Sequence, residues 1–294
     1  MILAVTGGTG FVGARLIDQA LAAGHQVRAL TRRAQPPRTG VGWIEGTLAD
    51  PGSLAQGADA VVHAAGVVSA DRAGFIAGNV DGTRSILAAA QTAGVRRFIH
   101  VSSLSAREPQ MSAYGWSKRE GERLVEASGL DWTIIRPTGV YGPGDTEMRD
   151  VFRMARFGMA LLPPKGRVSL IAVDDLAALL LTLAERGGPR TIYEVDDGTS
   201  MTHAELAQAI GVAVGRRVLP LHLPRPLLSL AAAIDTRIRG AGAKLTPDRV
   251  GYLCHPDWTA DPARRPPADV WTPATPLQAG LAATASWYRA NGLL

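Results

Sequence analysis

Residues 6–13 read Thr6-Gly7-Gly8-Thr9-Gly10-Phe11-Val12-Gly13, directly after the apolar run Ile2-Leu3-Ala4-Val5. The apolar run reads as a buried strand, and Val12–Ala23 carries a helical pattern that stops at Gly24. A chain turning this tightly from strand to helix needs a residue free to take positive φ. It also lets backbone N–H groups approach an anion at the helix N-terminus, where the dipole favours negative charge. The last glycine lets helix and strand pack closely. Gly8, Gly10 and Gly13 satisfy G-x-G-x-x-G, and Gly7, Gly10 and Gly13 satisfy G-x-x-G-x-x-G. Between a strand and a helix, that spacing is the fingerprint of a pyrophosphate-binding turn. Gly7, Gly10, Phe11, Val12 and Gly13 are its candidate contacts.

Working outward, strands alternate with helices. Gln26–Thr31, Val41–Glu45, Ala60–Ala64, Phe98–Ser102 and Trp132–Arg136 read as strands. Helices are expected over Val80–Ala93 and Ser112–Ser128, stopped by Gly94 and Gly129. This rhythm means βαβ units and right-handed crossovers, hence an α/β fold with a doubly wound parallel (Rossmann) sheet. The domain is expected over residues 1–160, with 170–195 returning to the sheet through a helix at Asp174–Arg186 and a strand at Ile192–Val195. A smaller, mostly helical C-terminal substrate lobe is expected over 196–294, including parts of 138–169.

The chain has 294 residues, 46% hydrophobic and 19% charged, ordinary for a globular protein. No apolar run reaches the roughly 18 residues a membrane span needs. The N-terminal apolar stretch runs straight into the glycine loop, so it reads as a first strand rather than a leader, and a cytoplasmic location is the expectation. One cysteine, Cys254, excludes an intrachain disulfide, and with His255 alone beside it no metal site is expected. The net charge of +5 comes mostly from scattered arginines without an aromatic-interleaved stripe, so nucleic acid is not the expected partner.

The end of the second strand chooses between dinucleotides. NAD sites usually carry an acidic residue there for the adenine ribose. Here Thr31 is followed by Arg32 and Arg33, whose permanently charged, bidentate groups suit a 2′-phosphate. NADP (NADPH) is therefore expected over NAD. Further on, Tyr114-Gly115-Trp116-Ser117-Lys118 puts a phenol and an ammonium on one helix face. A phenol with a pKa of about 10 needs such a neighbour to move a proton at neutral pH. Ser102 and Ser103 end the preceding strand, and alternation lets only one face a substrate. Ser103 is the candidate, with Ser102 structural. Ser103, Tyr114 and Lys118 are thus the candidate catalytic residues, and Tyr114 and Lys118 are also candidate cofactor contacts, Lys118 at the nicotinamide ribose.

Together these residues resemble the short-chain dehydrogenase/reductase superfamily, in its extended branch, over nearly the whole chain. Residues 6–13 resemble its cofactor loop. His63-Ala64-Ala65-Gly66 resembles the turn that passes the nicotinamide ribose, and Asn79-Val80-Asp81-Gly82-Thr83 its N-V-x-G-T helix start. Arg136–Pro143 resembles the segment leading past the nicotinamide, which implies cofactor contacts at Pro137 and Val140. Two departures stand out. Val270-Trp271-Thr272-Pro273 has valine where G-W-x-P is usual, and Gly46-Thr47-Leu48-Ala49-Asp50 has Thr47 for the first aspartate of G-D-L-x-D. Adenine contact would fall to Thr47 or the Leu48 backbone.

Within the family the resemblance is nearest to ketone reductases and 3β-hydroxysteroid dehydrogenase-like members. It implies NADPH-dependent reduction of a ketone or aldehyde, or the reverse oxidation, by a Ser/Tyr/Lys mechanism on a small hydrophobic substrate. The alternatives are a sugar-nucleotide epimerase or dehydratase holding NAD, and a non-catalytic NADP-binding scaffold or sensor. Val68, Asn79, Leu104, Thr138 and Phe152 are candidate substrate contacts. The apolar run Phe152, Met154, Phe157, Met159, Leu161 and Leu162 reads equally as substrate lining or as core. A homodimer through the Tyr114-bearing helix is the assembly the family implies.

Overall fold

The structure is a computed structural model describing residues 1–243 and 245–294. Along the chain the strands are β1 (Ile2–Thr6), β2 (Gln26–Thr31), β3 (Val41–Glu45), β4 (Ala60–His63), β5 (Arg97–Val101), β6 (Asp131–Pro137) and β7 (Gly139–Tyr141). They continue as β8 (Met159–Leu162), β9 (Arg167–Val168), β10 (Leu170–Ala172), β11 (Thr191–Val195), β12 (Met201–Thr202), β13 (Leu219–His222) and β14 (Asp257–Trp258). The helices are α1 (Phe11–Ala22), α2 (Arg72–Phe75), α3 (Gly82–Thr92), α4 (Ala113–Glu126) and α5 (Arg149–Arg156). Then come α6 (Val173–Arg186), α7 (His203–Val214), α8 (Arg225–Arg239), α9 (Pro247–Leu253) and α10 (Leu277–Ala290).

The chain forms two compact units. The first holds Met1–Pro137, Val173–Val195 and Asp261–Thr272. Its seven strands lie in the order β11-β6-β5-β4-β1-β2-β3, and every neighbouring pair is parallel. This is the doubly wound Rossmann sheet. The order reverses between β1 and β4, and in such sheets ligands sit beyond the C-terminal ends at that switch point. Leu3, Ala4 and Val5 of β1 are fully buried, as a strand covered on both faces requires. The helices begin and end as the sequence dictates. Ser112 caps α4 by accepting from the Gly115 N–H, and Gly24, Gly94 and Gly129 follow α1, α3 and α4 with positive φ.

One helix differs from expectation. The helical run containing Asn79-Val80 begins at Arg72, capped by Asp71, and passes through a π-helical turn at Ile76–Asp81 before α3. Asn79 is thus inside the helix rather than at its start. The stretch Asp261–Thr272, read from sequence as part of the later lobe, belongs to the first unit, where the Asp261 N–H donates to Glu194 at 3.0 Å.

The second unit holds Thr138–Ala172, Asp196–Ala260 and Pro273–Leu294. Its small sheets pair β10 with β7, β12 and β14 with β9, and β13 with β8. Its main core gathers Tyr141, Phe152, Ile210, Leu281 and Tyr288. α7 starts with a reciprocal capping box, Thr202 with Glu205, and ends at Gly215 in the left-handed conformation. No helix is long and apolar enough to cross a membrane among the described residues.

Candidate active site

The glycine loop is built as a cradle. Gly7 has φ +74°, and a Cβ there would stand 2.8 Å from the Ala65 nitrogen. A Cβ on Gly13 would run into the carbonyl oxygen of Gly7, so α1 lies directly against the loop. Gly10 begins α1 with no side-chain cap, and the first turn carries no acidic residue. The first N–H groups of this twelve-residue helix are therefore left for an outside acceptor. That arrangement fits a pyrophosphate.

The turn after β4 is positioned by a chain of hydrogen bonds. The Ala65 N–H donates to Thr6 Oγ1 (3.1 Å), which bonds His63 Nδ1 (2.7 Å). His63 Nε2 lies 3.1 Å from Thr83 Oγ1, which donates to the Asn79 carbonyl (2.7 Å). With Thr6 accepting from Ala65 and Thr83 donating to Asn79, His63 accepts at Nδ1 and donates at Nε2 as a neutral imidazole. Burial, with Lys118 nearby, pushes its pKa down to about 3, consistent with that form.

Asn79 completes the turn. Its Oδ1 accepts from the Val67 N–H (2.7 Å), and its Nδ2 donates to the Val67 carbonyl (2.9 Å) and Ser117 Oγ (2.9 Å). The amide is buried with its oxygen and both hydrogens engaged. It holds protein backbone rather than substrate, which corrects its reading as a substrate contact. Ala64, Ala65 and Gly66 are held in consequence, and a Cβ on Gly66 would come within 3.6 Å of Lys118 Nζ.

Lys118 is buried, and its ammonium donates to the Val101 carbonyl at the end of β5, at 2.8 Å. Burial lowers its pKa to about 8, opposed by the Glu122 carboxylate. Tyr114 stands one helical turn earlier on α4, half-buried, with its ring 5.9 Å from Phe75. β5 ends at Val101, one residue short of expectation, so both serines lie just beyond it. Ser102 is buried and donates to Glu122 at 2.7 Å. Ser103 is half-buried and accepts from the N–H (3.2 Å) and hydroxyl (2.9 Å) of Ser105, capping the 3₁₀ turn Leu104–Arg107. Glu122, fully buried, also takes two hydrogen bonds from Arg136 (2.8 and 2.7 Å), and Arg136 reaches Glu194 at 3.4 Å. This charge network ties the C-terminal ends of β5, β6 and β11 together.

Other candidates fall elsewhere. Arg32 and Arg33 are exposed beyond β2, where Thr31 Oγ1 donates to the Arg33 carbonyl at 2.6 Å. Thr47 is exposed and accepts from the Asp50 N–H at 3.1 Å, while the Leu48 side chain packs against the start of α3 at Gly82. Val68 is exposed and Leu104 buried. Pro137 closes β6 in the first unit, whereas Thr138, Val140 and Phe152 belong to the second. Phe152 is completely buried against Tyr288, ring centroids 5.1 Å apart. It is core, which corrects its reading as a substrate contact. From sequence Glu122 has no assigned role, and His63 enters only as the first residue of the turn after β4. Their signals were an acidic residue four after Lys118 and a lone polar residue closing the strand Ala60-Val61-Val62-His63.

Comparison with known proteins shows the family of the chain. Residues 7–186 match the model of the NAD(P)H-binding family. A ceramide reductase of Caulobacter vibrioides is 35% identical, covering 100% of this chain and 96% of its own. A 3-beta-hydroxysteroid dehydrogenase of Mycolicibacterium neoaurum is 30% identical, covering 73% of this chain and 70% of its own. Among solved structures, the Bordetella bronchiseptica enzyme WbmH in complex with NAD+ superposes with a TM-score of 0.77 at 21% identity, covering 99% of both chains. That likeness is one of fold. The matched relatives are oxidoreductases acting on hydroxyl or keto groups, and the chain belongs to the NAD(P)H-binding family as a member of the extended short-chain dehydrogenases/reductases.

Proposed function

We propose that the protein uses NADPH to reduce a carbonyl group on an apolar substrate, or oxidises the matching alcohol, through Ser103, Tyr114 and Lys118. The observation that carries this reading is the buried Lys118 ammonium, held 2.8 Å from the Val101 carbonyl, beside the Gly66 turn and one helical turn after Tyr114. The nicotinamide, when bound, supplies or accepts the hydride.

The remaining work belongs to the chain. Lys118 spends one donor on Val101 and keeps two for the nicotinamide ribose. Its positive charge favours the phenolate of Tyr114 and so lets the phenol release its proton to the substrate oxygen. Ser103 accepts twice from Ser105, so its own hydroxyl hydrogen is available to hold that oxygen. Gly7, Gly10, Phe11, Val12 and Gly13 would bind the pyrophosphate, Ala64–Gly66 and Pro137 the nicotinamide end, and Thr47 and Leu48 the adenine. Arg32 and Arg33 would take the 2′-phosphate. An apolar substrate is supported by the relatives, named for ceramide and 3-beta-hydroxysteroids, which are largely hydrocarbon.

Tyr114→Phe tests the assignment. Turnover of an accepted ketone should fall about 10²–10⁴-fold, with NADPH binding, read by its fluorescence, unchanged. A Phe variant that keeps turnover near the wild-type rate removes Tyr114 from the mechanism. Wild-type protein that binds NADPH but turns over no carbonyl supports the scaffold reading instead.

A further inference from the structure

The second unit shows an apolar face that its own core does not use. β8 and β13 pair in parallel with Met159 opposite Leu219 and Leu161 opposite Leu221. Paired residues point to the same side of a sheet. All four are exposed, while Ala160 and Leu162 turn inward. The ribbon therefore turns a wholly aliphatic outer face to solvent. Phe157, just before it, is 71% exposed.

α8 follows β13 after Leu223-Pro224 and continues the pattern. Leu228 and Ala232 pack inward against Val250. Leu227, Leu230, Ile234 and Ile238 are exposed, Ile238 at 76%. At 3.6 residues per turn these four fall within about 80° of arc. An apolar stripe on the solvent side is the reverse of an ordinary surface helix. Exposed apolar surface of this kind, on the ribbon and on the helix that follows it, marks an interaction site.

The surrounding charge identifies the partner. Arg156, Phe157, Gly158, Arg216 and Arg217 line one open pocket at the start of the ribbon, with the Arg156 guanidinium 5.2 Å from the Phe157 ring centre. Between Arg216 and Arg239 the chain carries five arginines and a single acidic residue, Asp235, which is half-buried and paired with Arg239 at 3.2 Å. The excess of positive charge around this face favours an anionic partner over a second copy of the same face. Aliphatic side chains rimmed by cations match acyl chains beneath anionic headgroups.

We propose that the ribbon β8/β13 and the exposed stripe of α8 form a peripheral docking face for an anionic phospholipid surface, with the Arg156/Arg216/Arg217 pocket receiving a lipid phosphate. The face inserts shallowly without spanning. It sits entirely in the second unit and is independent of the Ser103/Tyr114/Lys118 chemistry.

The test is vesicle co-sedimentation of the full chain without substrate or cofactor. Vesicles of phosphatidylglycerol mixed with phosphatidylcholine should retain at least tenfold more protein than phosphatidylcholine alone, and high salt should release it. Leu230→Ser/Ile234→Ser/Ile238→Ser should lower partitioning at least tenfold, and Arg216→Ala/Arg217→Ala should remove most of the preference for anionic lipid. These side chains are exposed, so an unchanged melting temperature and NADPH binding verify the fold. Wild-type protein left in the supernatant with anionic vesicles overturns the proposal, as do variants that partition like wild type. A lipid-free dimer dispersed by the same triple substitution overturns it in favour of self-association. Because no turnover is measured, failure here leaves the carbonyl reading standing, and the reverse holds.

Discussion

A buried lysine is held charged only as far as its surroundings allow, and Lys118 shows the balance directly. Burial lowers its pKa to about 8, and the Glu122 carboxylate pulls the other way, while His63 and His100 facing it are kept neutral by burial. A base with a lowered pKa loses its charge as pH rises through that value. Activity that needs the ammonium should decline above about pH 8. Glu122→Gln removes the opposing carboxylate and should move this alkaline limb of the kcat profile to lower pH. An unmoved limb would show that the limb belongs to another group. Arg32→Ala/Arg33→Ala should raise KM for NADPH much more than KM for NADH, whereas equal effects would remove the 2′-phosphate assignment. At this scale the sequence was legible where chemistry demands a spacing, as with Tyr114 and Lys118. It was illegible where tertiary context decides a side chain's surroundings. Asn79 and Phe152 have the residue types of substrate contacts, yet the π-helical turn spends the first on Val67 and core packing buries the second.

Between elements, His63 couples β1, β4 and α3 through Thr6 and Thr83. The folded protein keeps His63 neutral down to about pH 3, while the unfolded chain takes up a proton near the ordinary value of 6.5. Its stabilising contribution is complete above about pH 6.5 and is lost as pH falls toward 3, by up to about 1.4 kcal/mol per pH unit. His100 acts in the same direction. Chemical denaturation at pH 7 and pH 5 should therefore give a lower free energy of unfolding at pH 5, and Thr83→Val, which strands the His63 donor, should cost about 1–3 kcal/mol. Gly13→Ala should weaken NADPH binding at least tenfold and lower the melting temperature, because its Cβ meets the Gly7 carbonyl rather than a movable side chain. Titration calorimetry with the cofactor measures this. The inner strands β1, β4 and β5 of the main sheet could be read from sequence because they are short, mostly buried apolar runs. The small strands could not. β9 has two residues, and its partners β12 and β14 lie far along the chain, so nothing local marks it.

For the whole molecule, strand order determines where chemistry can happen. The reversal between β1 and β4 brings the Gly7 loop against Ala65, and the neighbouring end of β5 supplies Val101 and Ser103. That arrangement followed from alternation and crossover handedness, so the first unit was legible. The second unit follows no such rule, and its apolar run split in two, with Phe152 and Leu162 in cores and Phe157, Met159 and Leu161 exposed. Hydride transfer to a carbonyl, with the proton from Tyr114, is the reaction proposed for this site. It is tested most directly with NADPH deuterated at the nicotinamide C4, supplied with a panel of aldehydes, cyclic ketones and steroids. NADPH consumption should be matched by an alcohol carrying deuterium on the former carbonyl carbon. Interconversion of a UDP- or GDP-sugar without net NADPH consumption would contradict it.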